Sequence, residues 1–281
     1  MDYAMKLENV TKHYSGFSLD HVNIELPAGC IMGFVGENGA GKSTTIKLIL
    51  DLVHKEEGRI YLFGKNQKEA LSLMKENIGV VMDECCFPEN LNVSNVNTFM
   101  KRIYKTWDAD KFQQMIQKYE LPQKKAIKDF SKGMKMKLSI ACALAHDTKL
   151  LLLDEATSGL DPVVRDEILD TFLEFIQDET HSIFMSSHIL SDLEKVCDYI
   201  CFIHKGKIVF SESKDELLEK YGVLKCSEAE LRDIPKSAIK GVRKNRFGVE
   251  ALVLRERIRG NYVIDRAGIE DIMLFYIKEG R

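Results

Sequence analysis

Apolar and polar residues alternate over residues 4–10, with Met5, Leu7 and Asn9 on one side, and again over residues 17–26. Period two predicts two half-buried strands, the second ended by the turn Pro27-Ala28-Gly29. Cys30 to Val35 is a short unbroken apolar run bounded by glycines, which suits a fully buried strand. Behind a glycine-rich loop, Thr44 to Val53 places Ile46, Ile49, Leu50 and Val53 at helical spacing. Gly58 to Phe63 reads as a further strand, closed by Gly64. From Pro88 to about His146 the pattern is helical, with Phe99, Ile103, Phe112, Met115, Ile116 and Tyr119 as the expected buried positions and Pro122 as a break. Leu150–Leu153 and Ile183–Ser186 are buried strands again, with helices over Val163–Glu179 and Leu190–Cys197. Cys201–His204 and Lys207–Ser211 form a hairpin around Lys205-Gly206. Buried strands alternating with helices predict an α/β fold with a mostly parallel sheet.

The pattern changes near residue 222. Glu228–Asp233 reads as a short helix, Gly248–Leu254 and Tyr262–Asp265 as strands, and Ile269–Ile277 as an amphipathic helix. A domain over residues 1–221, with a helical portion at about 88–146, is thus followed by a small α+β appendage over residues 222–281. From residue 222 onward there are 13 Lys/Arg against 9 Asp/Glu, a balance of +4, and the rest carries −7. The total of −3 gives no global basic character, so nucleic acid is not an expected partner. The seven cysteines are odd in number and lack metal-type spacing with histidine; most sit in apolar stretches as small hydrophobes and suit a reducing compartment. Met1-Asp2-Tyr3 lacks a basic region followed by an apolar core, so no signal peptide is expected. No apolar stretch reaches the ~18 residues of a bilayer span.

The loop Gly36-Glu37-Asn38-Gly39-Ala40-Gly41-Lys42-Ser43 follows a buried strand and opens a helix at Thr44. This is G-x-x-x-x-G-K-[ST] in the context it requires, and it predicts ATP binding by Gly36 through Thr44. Gly39 and Gly41 let successive N–H groups turn toward phosphate oxygens, where the helix N-terminus adds its positive end. Lys42 supplies a full charge to the β- and γ-phosphates, and the Ser43 hydroxyl is a ligand for Mg²⁺. Leu150–Leu153 ends in Asp154-Glu155. Ligands of parallel sheets gather at the carboxyl ends of strands. Asp154 is therefore expected to hold Mg²⁺, and Glu155 to orient or deprotonate the attacking water.

A phosphate loop alone also fits kinases, GTPases and helicases. Three further segments narrow the choice: Phe130-Ser131-Lys132-Gly133-Met134 before the carboxylate strand, Ser158-Gly159-Leu160-Asp161-Pro162 after it, and His188 after Ser186-Ser187. In this order and spacing, over about residues 4–220, the chain resembles the ATP-binding subunits of ABC transporters. The resemblance implies a P-loop NTPase fold with a RecA-like core, an antiparallel β subdomain and a helical subdomain. It gives Tyr14 the role of stacking on adenine. It gives Ser131, Lys132, Gly133 and Met134 the signature position over the γ-phosphate of ATP in an opposite subunit, Asp161 the loop that faces that subunit, and His188 the switch contact to the γ-phosphate. Lys42, Glu155 and His188 are then the catalytic set. The implied partners are an integral membrane permease and a second ATP-binding subunit, identical or different, with the chain on the cytoplasmic face of the membrane.

The chain also departs from the pattern of the family it resembles. After Ile78-Gly79-Val80-Val81-Met82, Asp83 takes the usual Gln position; it can approach Mg²⁺ or its water but, ionised, cannot donate a hydrogen bond. Lys132 replaces the second signature glycine and either adds charge near the phosphates or points to solvent, while Met134 replaces the usual Gln. With Pro88-Glu89-Asn90-Leu91-Asn92-Val93, these variants resemble ABC-2 exporter subunits, a group that includes peptide and bacitracin-type antibiotic systems. A soluble ABC ATPase of translation or DNA repair, and a subunit that binds ATP without turnover, are the competing expectations.

Overall fold

The computed structural model describes residues 3–73, 75–245 and 248–279. Met1 and Asp2, part of the segment read for a leader, lie outside them, as do the last two residues of the appendage. Chain contacts divide the molecule into two units, the first ending at Ser211 and the second starting at Glu212.

In the first unit, β1 (Tyr3–Tyr14) and β2 (Phe17–Pro27) form an antiparallel hairpin in which Tyr14 faces Phe17 across the turn. β3 (Ile31–Val35) is buried throughout and leads through the glycine loop into α1 (Lys42–Ile49). β4 (Glu57–Leu62) and β5 (Lys65–Asn66) complete a four-stranded sheet in the order β2-β1-β4-β5. After α2 (Gln67–Leu73) and β6 (Ile78–Val81) come three helices, α3 (Val93–Ile103), α4 (Ala109–Lys118) and α5 (Lys132–Leu144). Each has a side-chain cap for its first free N–H groups: Asn92 in a reciprocal box with Asn95, Asp108 through Lys111 N at 2.8 Å, and Ser131 through Met134 N at 3.2 Å. β7 (Leu150–Asp154), α6 (Pro162–Phe175), β8 (Ser182–Ser187), α7 (Leu190–Val196), β9 (Tyr199–His204) and β10 (Lys207–Ser213) follow.

The second sheet has the order β10-β9-β3-β8-β7-β6, parallel from β9 to β6. The carboxyl ends of β3, β6, β7 and β8 therefore lie along one edge. α1 joins the two sheets: Ile46, Leu48 and Ile49 share a buried cluster with Leu7 and Ile60 of one and with Phe34, Leu152 and Phe184 of the other. Dispersion and removal of apolar surface from water hold this layer together.

The second unit starts with α8 (Lys214–Lys220) and β11 (Tyr221–Cys226), continues through α9 (Glu228–Asp233), β12 (Ile239–Asn245), β13 (Gly248–Leu254) and β14 (Val263–Arg266), and ends with α10 (Ile269–Glu279). Its sheet is antiparallel in the order β12-β13-β11-β14. Leu224, Ala251 and Val253 pack with Ile234 and Ala238 in its core.

The helical portion corrects one expectation. Phe112, Met115, Ile116 and Tyr119 are buried, but Phe99 and Ile103 are 50% and 44% exposed. α3 instead buries Val93, Val96 and Met100. Val96/Met100 and Phe99/Ile103 are both i, i+4 pairs, so periodicity alone did not choose between two adjacent stripes of one helix. Three other expected helices end early: α1 at Ile49 rather than Val53, α6 at Phe175 rather than Glu179, and α7 at Val196 rather than Cys197. Of the cysteines, Cys142, Cys197 and Cys201 are buried, Cys86 is exposed and the other three are half-buried, and none of them forms a disulfide. Burial pushes the Cys201 thiol up to about 12.

Candidate functional site

In the glycine loop between β3 and α1, Gly36 and Gly41 sit where no side chain fits. Gly41 has φ +114°, and a β-carbon there would lie 2.5 Å from Leu19. At Gly36 the same atom would meet the Ile203 carbonyl at 2.4 Å. The loop closes on itself through Ala40 N donating to the Glu37 carbonyl at 3.0 Å. Asn38, Gly39, Gly41, Lys42, Ser43 and Thr44 form one wall of a cleft of about 700 Å³. Asp83, Glu155, Ser158 and His188 line it as well, as do Gly16 and Phe17.

Lys42 is buried, and its ammonium donates to the carbonyls of Gly36 (2.8 Å) and Glu37 (3.4 Å). It also stands 3.2 Å from Glu155 Oε1. The other carboxylate oxygen of Glu155 lies 2.5 Å from His188 Nδ1. Glu155 is thus suspended between a lysine and a histidine, at one mouth of the cleft that both line. Its backbone is held by the Ser186 side chain, whose hydroxyl accepts from Glu155 N at 3.0 Å. With φ +52° it occupies the left-handed region, which costs a β-carbon-bearing residue about 1–2 kcal/mol. That turn swings the carboxylate out of the strand direction and into the cleft.

Asp154 is buried at the end of β7. Its Oδ1 accepts from Ser43 Oγ at 3.1 Å and from Ser186 Oγ at 2.7 Å. A hydroxyl and a carboxylate in contact at the foot of a phosphate loop are hard oxygen donors and fit Mg²⁺. Among the described residues no group of three or more His, Cys, Asp and Glu side chains is arranged to hold a metal ion. The donor set suits an ion that takes its remaining ligands from phosphate and water.

The other expected site residues are placed differently. Tyr14, at the end of β1, is 45% exposed, with the Lys12 ammonium 5.5 Å from its ring centre; Phe17, its partner across the turn, lines the cleft instead. Glu37 is half-exposed and faces His204 at 3.3 Å. Ser131, Gly133, Met134 and Asp161 are not among the lining residues. Ser131 caps α5, and Asp161 caps α6 by accepting from Val163 N and Val164 N at 3.1 Å each. Lys132 is 3.3 Å from Asp83 rather than free in solvent.

Sequence reasoning missed Ser186 and the lining residues Gly16, Phe17 and Ser158, and it missed one buried carboxylate that does not line the cleft, Asp192. Ser186 touches both Asp154 and Glu155; its signal was a hydroxyl residue closing the buried apolar run Ile183-Phe184-Met185. Phe17 was counted only as part of an alternating strand. Asp192 on α7 is buried and stands 3.3 Å from Arg165 of α6, joining the helix after His188 to the helix capped by Asp161. Burial raises its carboxyl above the ordinary value, the nearby Arg165 charge only partly offsetting this.

Comparison with known proteins places this geometry among relatives. The sequence pattern of the ABC transporter family matches residues 19–158. The chain is 37% identical over 228 residues to a bacitracin transport ATP-binding protein of Bacillus licheniformis, covering 78% of this chain and 73% of that one. It is 33% identical to a bacitracin transport ATP-binding protein of Enterococcus faecalis (77% and 71% covered). It is 36% identical to a lantibiotic transport ATP-binding protein of Streptococcus pyogenes (75% and 91% covered). Among solved structures, an ATP-binding subunit of an ABC transporter superposes with a TM-score of 0.69 at 24% identity, covering 76% of this chain and 91% of that one. A dimeric post-hydrolysis ATP-binding cassette bound to ADP and Pi gives 0.67 at 21% identity (74% and 98% covered). At these identities the structural likeness concerns the fold.

Proposed function

The chain belongs to the ABC transporter family as an ATP-binding subunit, and from that premise we propose that it hydrolyses ATP to power export of a peptide- or antibiotic-like substrate through a separate membrane permease. The observation that carries the reading is the convergence of Lys42, the Ser43–Asp154 pair and the Glu155–His188 pair on one cleft. The bacitracin and lantibiotic transport names of its relatives supply the class of cargo. No helix among the described residues is long and apolar enough to cross a membrane, so the crossing is assigned to the permease.

ATP enters with its phosphates against the loop N–H groups of residues 36–44. Lys42 exchanges its contacts with loop carbonyls and Glu155 for the β- and γ-phosphates. Ser43 and Asp154 would hold Mg²⁺, with Asp83 facing the same space, and the ion would supply neutralisation of phosphate charge. Released from Lys42, Glu155 orients a water and takes its proton, while His188, 2.5 Å from Glu155, turns between that carboxylate and the γ-phosphate. Tyr14 stacks on the base.

Ser131–Met134 and Asp161 serve the ATP of a second copy or a related subunit. That none of them lines the cleft of its own chain supports this division. ATP bridging two subunits exists only in the closed pair, so binding shifts the population toward closure and phosphate release reopens it. The loop Asp83–Leu91 and helices α3–α5 form the permease-docking surface, and the chain works at the cytoplasmic face of the membrane. Residues 222–281 are an accessory domain.

Steady-state hydrolysis tests the assignment. Glu155→Gln is expected to bind ATP normally and hydrolyse it at least a hundredfold more slowly, about 2.7 kcal/mol of barrier. Hydrolysis at the wild-type rate would remove Glu155 from its role. Purification from membranes in detergent should bring down a permease; recovery with ribosomes or DNA alone contradicts the transport reading.

A further inference from the structure

Lys132 and Asp83, two departures from the family's usual sequence, are partners in this fold. Asp83 lies on the loop leaving β6 and lines the cleft with Lys42, Ser43 and Glu155. Lys132 is the first residue of α5, directly after its cap Ser131. The Lys132 ammonium is 3.3 Å from Asp83 Oδ1. A β-carbon at Gly159 would also lie 3.3 Å from that ammonium. Three segments therefore meet at one charge: the loop after β6, the N-terminal end of α5 and the turn after β7. Lys132 and Asp83 also face a second, smaller cleft of about 450 Å³ with Glu84, Glu89 and Lys135, so the ion pair sits on an open, solvated border.

The strength of the pair decides what it can do. The two side chains are 48% and 52% exposed. An exposed pair of this kind biases an equilibrium by no more than about fivefold. That is too little for a structural brace and well matched to an exchange of partners. A phosphate oxygen carrying more charge than one carboxylate displaces Asp83 without a large penalty, because charge-assisted contacts to phosphate are the stronger kind.

We propose that Lys132 is an additional ligand for the γ-phosphate of ATP held by a second copy, kept in reserve by Asp83 of its own chain. The proposal rests on the two-subunit reading above. Without nucleotide the ammonium is neutralised in cis. When a second copy presents ATP, Lys132 transfers to the γ-phosphate and leaves Asp83 unpaired at the border of its own cleft. Occupancy of one site thereby changes the charge lining the other. ADP has no γ-phosphate to compete, so the ion pair stays closed and the discrimination between ATP and ADP widens.

The test is a double-mutant cycle in the full chain carrying Glu155→Gln, with the ATP concentration for half-dimerisation read by sedimentation velocity. Lys132→Gln is expected to raise that concentration about tenfold, as loss of a charge-assisted phosphate contact does. Lys132→Gly, which restores the family's residue, is a second variant with the same expectation. Asp83→Asn is expected to lower it several-fold by freeing Lys132, and to have no such effect once Lys132 is replaced. ATP affinity of the monomer should stay within twofold in the Lys132 variants, since that residue does not line its own chain's cleft. Equal effects of Asp83→Asn with and without Lys132, or an unchanged midpoint in both Lys132 variants, overturn the reserve-ligand proposal alone. Absence of any ATP-driven dimer with Glu155→Gln as the sole substitution overturns the two-subunit reading and the proposal with it.

Discussion

Glu155 sits at φ +52° between Lys42 and His188, and Ser186 holds both its amide and the neighbouring Asp154. Ser186→Ala should therefore lower hydrolysis about tenfold, the cost of one hydrogen bond to a charged group, while ATP affinity moves less than twofold. Ser186→Thr, which keeps the oxygen, should retain most of the rate; equal losses in both would make the effect one of packing. Tyr14→Ala should weaken ATP about fivefold, in line with ~1 kcal/mol of stacking, without altering stability, because the ring is already half-exposed. Isothermal titration and thermal melting separate the two. At this scale the placement of the candidate site was legible: a phosphate loop, an acid pair at a strand end and a histidine at the next strand end are each fixed by local sequence. Ser186 was not, because a serine in an apolar strand announces neither its direction nor its partner. The Lys132–Asp83 pair was not, because 49 residues separate two side chains that only the fold brings together.

Among the elements, α3 is where pattern and packing diverged. Val96 and Met100 form one i, i+4 stripe and Phe99 and Ile103 the adjacent one, and the larger residues are on the exposed side. Met100→Ala should destabilise the protein by about 2–3 kcal/mol through a cavity, while Phe99→Ser should stay within about 0.5 kcal/mol. Urea unfolding of the two variants reads the register of the helix directly. Phe99→Ser should at the same time reduce co-purification of the permease, if the exposed stripe belongs to the docking surface. A polar knot ties the turn before β6 to the end of α3 and to the connection between α5 and β7. His146 is buried, stacked on Tyr104 at 4.0 Å and hydrogen-bonded to the Glu76 carbonyl at 2.7 Å. Burial lowers its pKa below the ordinary 6.5, against the smaller opposing effect of Glu76. The folded chain then binds this proton less readily than the unfolded one, so the stability it contributes is complete above about pH 6.5 and is lost as pH falls below that value. Wild type should lose more melting temperature between pH 7.5 and 5.5 than His146→Gln does. Equal losses would take His146 out of the pH response. Short or polar elements such as β5, α2 and α8 gave no periodic signal to read, since two to seven residues hold at most one or two turns of any pattern.

For the whole molecule, alternating buried strands and helices were enough for the class, and the parallel order β9-β3-β8-β7-β6 explains why segments far apart in sequence share one edge. The chain contacts divide at Ser211/Glu212, where α8 and β11 begin the second unit; the change of character read near residue 222 follows this point because the helical and apolar residues of 214–224 look like those of the first unit. What no single sequence displays is a site shared between chains. The central claim is that the cleft built on Gly36–Ser43 is half of a working site. Sedimentation velocity of the Glu155→Gln chain tests it most directly. With saturating ATP and Mg²⁺ the 32.1 kDa species should convert to one of twice that mass, and with ADP it should not. A chain that binds ATP tightly and remains at 32.1 kDa across the accessible concentration range would contradict the claim.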